Sequence, residues 1–170
     1  MNPVVLKEFG RPEIGEFQNP TAKDGQKVVK VSVAGIGPAD RIHASGLVPV
    51  IIPKLPSGIG MEGVGHMDGK RVYFDTTISS FGAFGEQALI DSSTAIDVPE
   101  GITDEQAIAL GLSGSTAWIA LSWRAKVRPG ESVLILGATG AVGKMAIQAA
   151  NTWSWAYYRG IKSRRRVRCH

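Results

Sequence analysis

The chain has 170 residues, 44% hydrophobic and 20% charged, a globular composition long enough for one domain or one and a half. No apolar run approaches the ~20 residues that span a bilayer, and the N-terminus lacks a basic-then-apolar leader pattern. With Cys169 as its single cysteine, the sequence excludes a disulfide framework and a cysteine-rich zinc lobe, and a cytoplasmic location is expected.

The formal charge of +4 belongs to the tail. Residues 151–170 carry six basic side chains (Arg159, Lys162, Arg164, Arg165, Arg166, Arg168) and no acid. Before them stand 13 basic against 15 acidic residues, a net −2, so the overall charge says nothing about the folded part.

Residues 4–10 read as a first strand ending in a turn, and residues 27–33 alternate well enough for a second, half-buried one. Between them Asn19-Pro20 and Asp24-Gly25 are turn signals, the second suited to a hairpin. Residues 35–40 break the strand; a short helix over residues 39–45 should follow, stopped by Gly46. Residues 46–60, with Pro49, Pro53 and Pro56, predict an ordered loop leading to a glycine-rich strand over residues 58–65, whose backbone must pack closely. Further strands are expected at 70–74 and 85–90, and many short strands at this spacing predict a compact domain of β-barrel type.

The pattern then changes. Thr103 and Gln106 match a capping box, Thr103 capping the third helical residue and Gln106 returning the bond, and they open a helix through about Leu112. A second helix over residues 115–126 should end before Pro129-Gly130. The fold class is therefore α+β, with a β-rich domain giving way to an α/β one within residues 101–114.

Everything is organised around residues 131–143. Val133 to Leu136 is an unbroken apolar run suited to a parallel strand buried on both faces. It runs into Gly137, Gly140 and Gly143, spaced G-x-x-G-x-x-G, and then into a helical stretch over residues 144–150. Strand, glycine turn and helix open a dinucleotide-binding unit. Gly137 permits the tight turn, Gly140 lets a pyrophosphate approach the backbone, and Gly143 lets helix and strand pack, with the helix N-terminus offering N–H groups to phosphate. A complete site needs a second strand, which the sequence is not expected to supply.

Four motifs in order carry a resemblance: AGIGPAD ending at Asp40, GMEGVG from Gly60, GSTAW from Gly114, and PGESVLILGATGAVG from Pro129. Over about residues 1–150 the chain resembles the medium-chain dehydrogenase/reductase superfamily, and within it the zinc-independent quinone oxidoreductase-like branch. The resemblance implies a GroES-like catalytic domain over residues 1–112 and the first strand and helix of a Rossmann domain over 113–150. It implies hydride transfer from NADPH, NADH not being excluded, to a small-molecule quinone, enone or related carbonyl, and a homodimer for the full-length protein. The pyrophosphate turn would be Gly137, Ala138, Thr139, Gly140, Ala141, Val142 and Gly143. Thr116 matches a threonine near the nicotinamide; a helical hydroxyl bonded back to the preceding turn is an equal reading. Gly37, Asp40, Ile42 and Glu62 are the substrate-cleft positions. No residue is assigned as proton donor.

Zinc members of the superfamily carry a cysteine in the first motif and Gly-His-Glu in the second. Here these read Gly37-Pro38-Ala39 and Gly60-Met61-Glu62, with His43 and His66 the only upstream histidines, so four protein ligands cannot be assembled and no zinc is expected. His43 and His66 are expected at the surface or in loops. Glu62 is expected to organise backbone N–H groups rather than to catalyse. The typical Asn-Pro-x-Asp with following Tyr and Arg is altered too, to Gly37, Ile42 and Ala44, so an enone or aldehyde fits as well as a quinone.

After Ala150 the composition shifts abruptly, to two of the four tryptophans, two of the three tyrosines and the lone cysteine. Codons for residues 153–160 exist that, one base out of frame, read Gly-Ala-Gly-Arg-Ile-Ile-Ala-Ala, the turn and strand the resemblance would require. A frame shift at about residues 150–152 is the expectation, giving a truncated, poorly stable, self-associating and weak or inactive fragment whose tail, 151–170, is frame-shifted or disordered. A nucleic-acid role for the basic tail is not expected, because no recognisable module accompanies it. The alternative function is a catalytically inactive GroES-like module acting through a protein or anionic partner.

Overall fold

A computed structural model describes residues 1–47, 54–76 and 80–152, and the backbone of 157–161. The chain divides into two compact units, Met1–Ile108 and a second beginning at Ala109.

The first unit contains β1 (Val4–Leu6), β2 (Pro12–Ile14), β3 (Gln26–Ala34), α1 (Pro38–Ser45), β4 (Ser57–Gly58), β5 (Glu62–Met67), β6 (Lys70–Asp75), β7 (Gln87–Asp91) and β8 (Ile96–Asp97). Its main sheet has five strands in the order β7-β3-β5-β6-β8, each neighbouring pair antiparallel. A second sheet has the order β2-β1-β4. Among the described residues the two sheets do not close into one hydrogen-bonded barrel. Alternation along β3, β6 and β7 sends Val29, Val72, Phe74, Ala88 and Ile90 to one interior face, where Ala83 joins them.

The expected hairpin at Asp24-Gly25 is not formed. Gly25 does turn the chain, with the Gln26 N–H donating to the Lys23 carbonyl (2.9 Å), but β1 and β3 lie in different sheets. The partners of β1 are β2, paired as Val4↔Ile14 and Leu6↔Pro12, and β4, paired as Val5↔Gly58 and Leu6↔Ser57. Three residues around a proline are too short to show a periodic signal. The expected loop over residues 46–60 lies partly outside the described residues.

The capping box closes as the sequence predicts. The Gln106 N–H donates to Thr103 Oγ1 (3.2 Å), and the Thr103 N–H donates to Gln106 Oε1 (2.9 Å), opening α2 (Asp104–Leu110). Just upstream, Arg71 on β6 donates to the carbonyls of Pro99 (2.9 Å) and Ile102 (2.8 Å), and its Nε lies 3.6 Å from Asp104 Oδ1. This guanidinium fixes the approach to the helix, and no sequence motif announces it. Thr103→Ala should lower stability by about 1 kcal/mol, read as a shift in the urea midpoint.

The second unit holds α3 (Leu112–Ile119), a π-helical turn (Ala120–Arg124), β9 (Ser132–Leu136), α4 (Ala141–Thr152) and β10 (Tyr157–Ile161). Ala117, Leu121, Ile135, Ala146 and Ala150 form its core. β9 is covered on one face only: Ile135 is buried, whereas Leu134 is 59% and Leu136 74% exposed. Burial on both faces, expected from the apolar run, is therefore not found.

A second strand is present, contrary to expectation. β10 runs parallel to β9 in the register Tyr157↔Ser132 to Ile161↔Leu136, so β9, α4 and β10 make a βαβ unit. Two tyrosines and an isoleucine suit a strand whatever their origin, and β9 offers an edge with unpaired backbone groups. Residues 153–156 and 162–170, where the tail is expected to be disordered, lie outside the described residues.

Candidate functional site

The glycine turn is built by backbone geometry. Gly137 follows β9 with φ +74°, a left-handed conformation that glycine adopts without strain. The Gly140 N–H donates to the Gly137 carbonyl (2.9 Å), and the Lys144 N–H donates to the Gly140 carbonyl (2.9 Å), starting α4 directly on the turn. A Cβ on Gly143 would lie 2.3 Å from the Gly137 carbonyl oxygen and 2.8 Å from Ala138 Cα, both main-chain atoms. Helix and turn thus touch at a point where only glycine fits. Thr139, Gly140, Ala141 and Val142 are exposed around the helix start, and Ala138 is half-buried beneath it. Unsatisfied N–H groups and the positive dipole end at such a helix start suit a diphosphate.

Thr116 lies on α3 with its hydroxyl donating to the Leu112 carbonyl at 2.6 Å, the back-bonded arrangement. Its side chain is exposed and its oxygen keeps acceptor capacity.

In the first unit, Gly37, Asp40 and Glu62 come together while Ile42 points away. Gly37 is the N-cap of α1, Pro38 occupies the first turn, and Gly46 closes the helix as expected, its N–H donating to the His43 carbonyl. The inward face carries Asp40, His43 and Ala44. The outward face bears Pro38, Arg41, Ile42 and Ser45, which with Leu47 line a groove of about 330 Å3. Ile42 is 42% exposed there.

Asp40 is only 7% exposed. Its Oδ2 accepts from the Gly37 N–H (2.7 Å) and its Oδ1 from the Met61 N–H (2.9 Å). Asp40 thus gathers two backbone N–H groups. Glu62 Oε2 accepts from the Tyr73 hydroxyl (2.7 Å), and its Oε1 lies against Gly35. Burial first, and then that hydrogen bond, push the Tyr73 phenol well above its usual range, so it stays protonated as the donor.

His43 is neither at the surface nor in a loop. It sits on the inward face of α1, 6% exposed, and among the described residues its Nδ1 has no hydrogen-bond partner. Its position three residues beyond Asp40 puts it on the same buried stripe. His66 is exposed on β5, with its Nδ1 3.4 Å from Ser32 Oγ. Burial lowers the His43 pKa from 6.5, opposed in part by the charge of Asp40. As pH falls below about 6.5 the unfolded chain takes up a proton that the folded chain resists, so stability declines until the lowered pKa is reached. His43→Leu should flatten that part of the profile, measured as urea midpoints between about pH 7.5 and about pH 5.5.

Among the described residues no cluster of three or more His, Cys, Asp or Glu side chains could hold a metal ion, and no helix is long and apolar enough to cross a membrane.

No family model matches the chain. The quinone oxidoreductase of Pongo abelii is 34% identical over 167 residues, 90% of this chain and 50% of the relative. The solved quinone oxidoreductase of Thermus thermophilus, determined also in complex with NADPH, superimposes with a TM-score of 0.83 at 32% identity, covering 97% of this chain and 54% of that one. The Escherichia coli quinone oxidoreductase complexed with NADPH gives a TM-score of 0.82 at 28% identity, covering 94% of this chain and 52% of the other. This chain is a homologue of the quinone oxidoreductases of the medium-chain dehydrogenase/reductase superfamily. It spans about half the length of the curated relatives it matches. The GroES-like and partial Rossmann assignment agrees with these quinone oxidoreductase structures, the open sheets notwithstanding. Ala44 is buried against Leu6 and Ile59, where a guanidinium would have no solvent.

Proposed function

We propose that this chain carries the nucleotide turn and substrate-bordering loops of an NADPH-dependent, zinc-independent reductase acting on a quinone, enone or related carbonyl. The observation that carries it is the contact of Gly143 with the Gly137 carbonyl, which sets the helix start on a left-handed glycine turn. Two structural neighbours with that fold are NADPH complexes. In this reading Gly137 to Gly143 hold the pyrophosphate, and Thr116 accepts a hydrogen bond from the carboxamide of the nicotinamide. Bound NADPH would supply the hydride, and the protein would position and polarise. NADH is accommodated by the same turn. A homodimer of the full-length protein and a cytoplasmic location belong to the same reading.

The second reading is a catalytically inactive GroES-like module acting through a protein or anionic partner, and the apolar face of the unit that follows it is the observation that favours a protein partner for the chain. There Leu110, Trp118, Ile119 and Met145 line a groove of about 510 Å3. The deciding experiment follows loss of reduced-nicotinamide absorbance with p-benzoquinone or methyl vinyl ketone, after dialysis against EDTA. The reductase reading expects turnover that chelation leaves unchanged. A folded chain that binds no NADPH and turns over neither substrate supports the binding module or an inactive fragment of the reductase.

A further inference from the structure

We propose that Asp40 is a positioning residue that does not itself meet substrate: a buried carboxylate that sets the spacing between the two backbone segments bordering the substrate. This rests on the reductase reading.

The sequence groups Asp40 with Gly37, Ile42 and Glu62 as one cleft lining, but the structure separates their parts. Asp40 is buried, and each of its oxygens is engaged by a main-chain N–H, one from Gly37 at the start of α1 and one from Met61 just before β5. Asp40 and Met61 are 21 residues apart in sequence, and a single side chain ties their segments. Gly37 leads into the outward stripe of α1 with Arg41 and Ile42; Met61 precedes Glu62, whose carboxylate packs on Gly35 and accepts from Tyr73. The Gly35 N–H also donates to the Glu62 carbonyl, at 3.3 Å, so the two segments are laced twice.

A carboxylate suits this task because it is an acceptor at both oxygens, and the N-terminus of α1 favours its charge. Asparagine has nearly the same shape but presents an amide N–H2 to one of the two N–H donors, so one tie is replaced by a donor facing a donor. Glutamate keeps both acceptors on a longer stem. Asp40→Asn therefore loosens one segment against the other while leaving the glycine turn of the second unit untouched.

The test is steady-state reduction of p-benzoquinone by the full chain with NADPH, for wild type, Asp40→Asn and Asp40→Glu, alongside NADPH titrations and thermal midpoints. A displaced segment should raise KM for the quinone about tenfold in Asp40→Asn, with NADPH affinity unchanged at a temperature well below its midpoint, and Asp40→Glu should recover part of the loss. A purely structural residue would instead lower the active fraction, reducing kcat and NADPH-binding capacity together at constant KM. That pattern overturns the proposal, as does a variant with wild-type kinetics. Wild-type protein that binds NADPH without reducing quinone or enone overturns the reductase reading and this assignment with it. Wild-type turnover with no change in the Asn variant overturns the assignment alone.

Discussion

Gly143→Ala is expected to destabilise the second unit by about 3 kcal/mol and to remove measurable NADPH binding. The new methyl would meet the Gly137 carbonyl oxygen at 2.3 Å and Ala138 Cα at 2.8 Å, and neither main-chain atom can swing aside as a side chain would. Relief requires α4 to lift from the turn, which disperses the N–H groups at its start and disturbs the packing of Ala146 and Ala150 on Ile135. All four tryptophans (Trp118, Trp123, Trp153, Trp155) follow Ala109, so their fluorescence in urea reports this unit selectively. Gly140→Ala is the informative contrast. A Cβ there lies 3.4 Å from the Gly137 carbonyl oxygen, tight yet tolerable, so stability should change by less than about 1 kcal/mol. Binding should still fall, because the methyl would occupy the space a diphosphate needs beside the backbone. Unchanged stability in Gly143→Ala would contradict the described packing; unchanged binding in both variants would remove the turn from the cofactor site.

The second large effect lies in the first unit. Phe74→Ala should cost about 3–5 kcal/mol, a large share of the roughly 5–15 kcal/mol that holds a domain together. The ring is fully buried with Val29, Val72, Ala83, Ala88 and Ile90, so its removal leaves a large cavity in the core. Its Cζ lies 2.6 Å from where a Cβ on Gly63 would stand. Gly63→Ala should therefore be destabilising by itself and less so combined with Phe74→Leu, which withdraws the ring edge. A double-mutant cycle followed by far-ultraviolet circular dichroism measures that coupling. Strict additivity would mean the two positions do not meet.

Legibility in the sequence follows how local the physics is. The capping box of Thr103 and Gln106, the stop at Gly46, and the conformations of Gly137 and Gly143 all follow from interactions within a few residues, and each can be read from residue type and spacing. Pairing partners cannot. Asp24-Gly25 has hairpin chemistry, yet which strands meet across a turn depends on the whole sheet, and β2 is too short to show a pattern. Val133 to Leu136 looks like a strand covered on both faces because apolar composition says what should be buried. It does not say whether anything covers Leu134 and Leu136.

The first-unit site shows the same division. A motif groups four residues there, but an eight-residue helix turns Asp40 and Ile42 to opposite sides. A carboxylate three residues after Gly37, followed three later by His43 and then Ala44, is a legible inward stripe of helical spacing. His43 escapes that reading because histidine is seldom fully buried without a partner. The tie from Asp40 to the Met61 N–H spans 21 residues and leaves no sequence signal at all.

Titration of the isotope-labelled chain with NADPH, followed by amide chemical shifts, tests the central claim most directly. The turn predicts saturable shifts concentrated on Gly137 to Lys144, absent in Gly143→Ala at a temperature where that variant is folded. Saturable shifts that leave those amides still, or none in the folded wild-type chain, would contradict it.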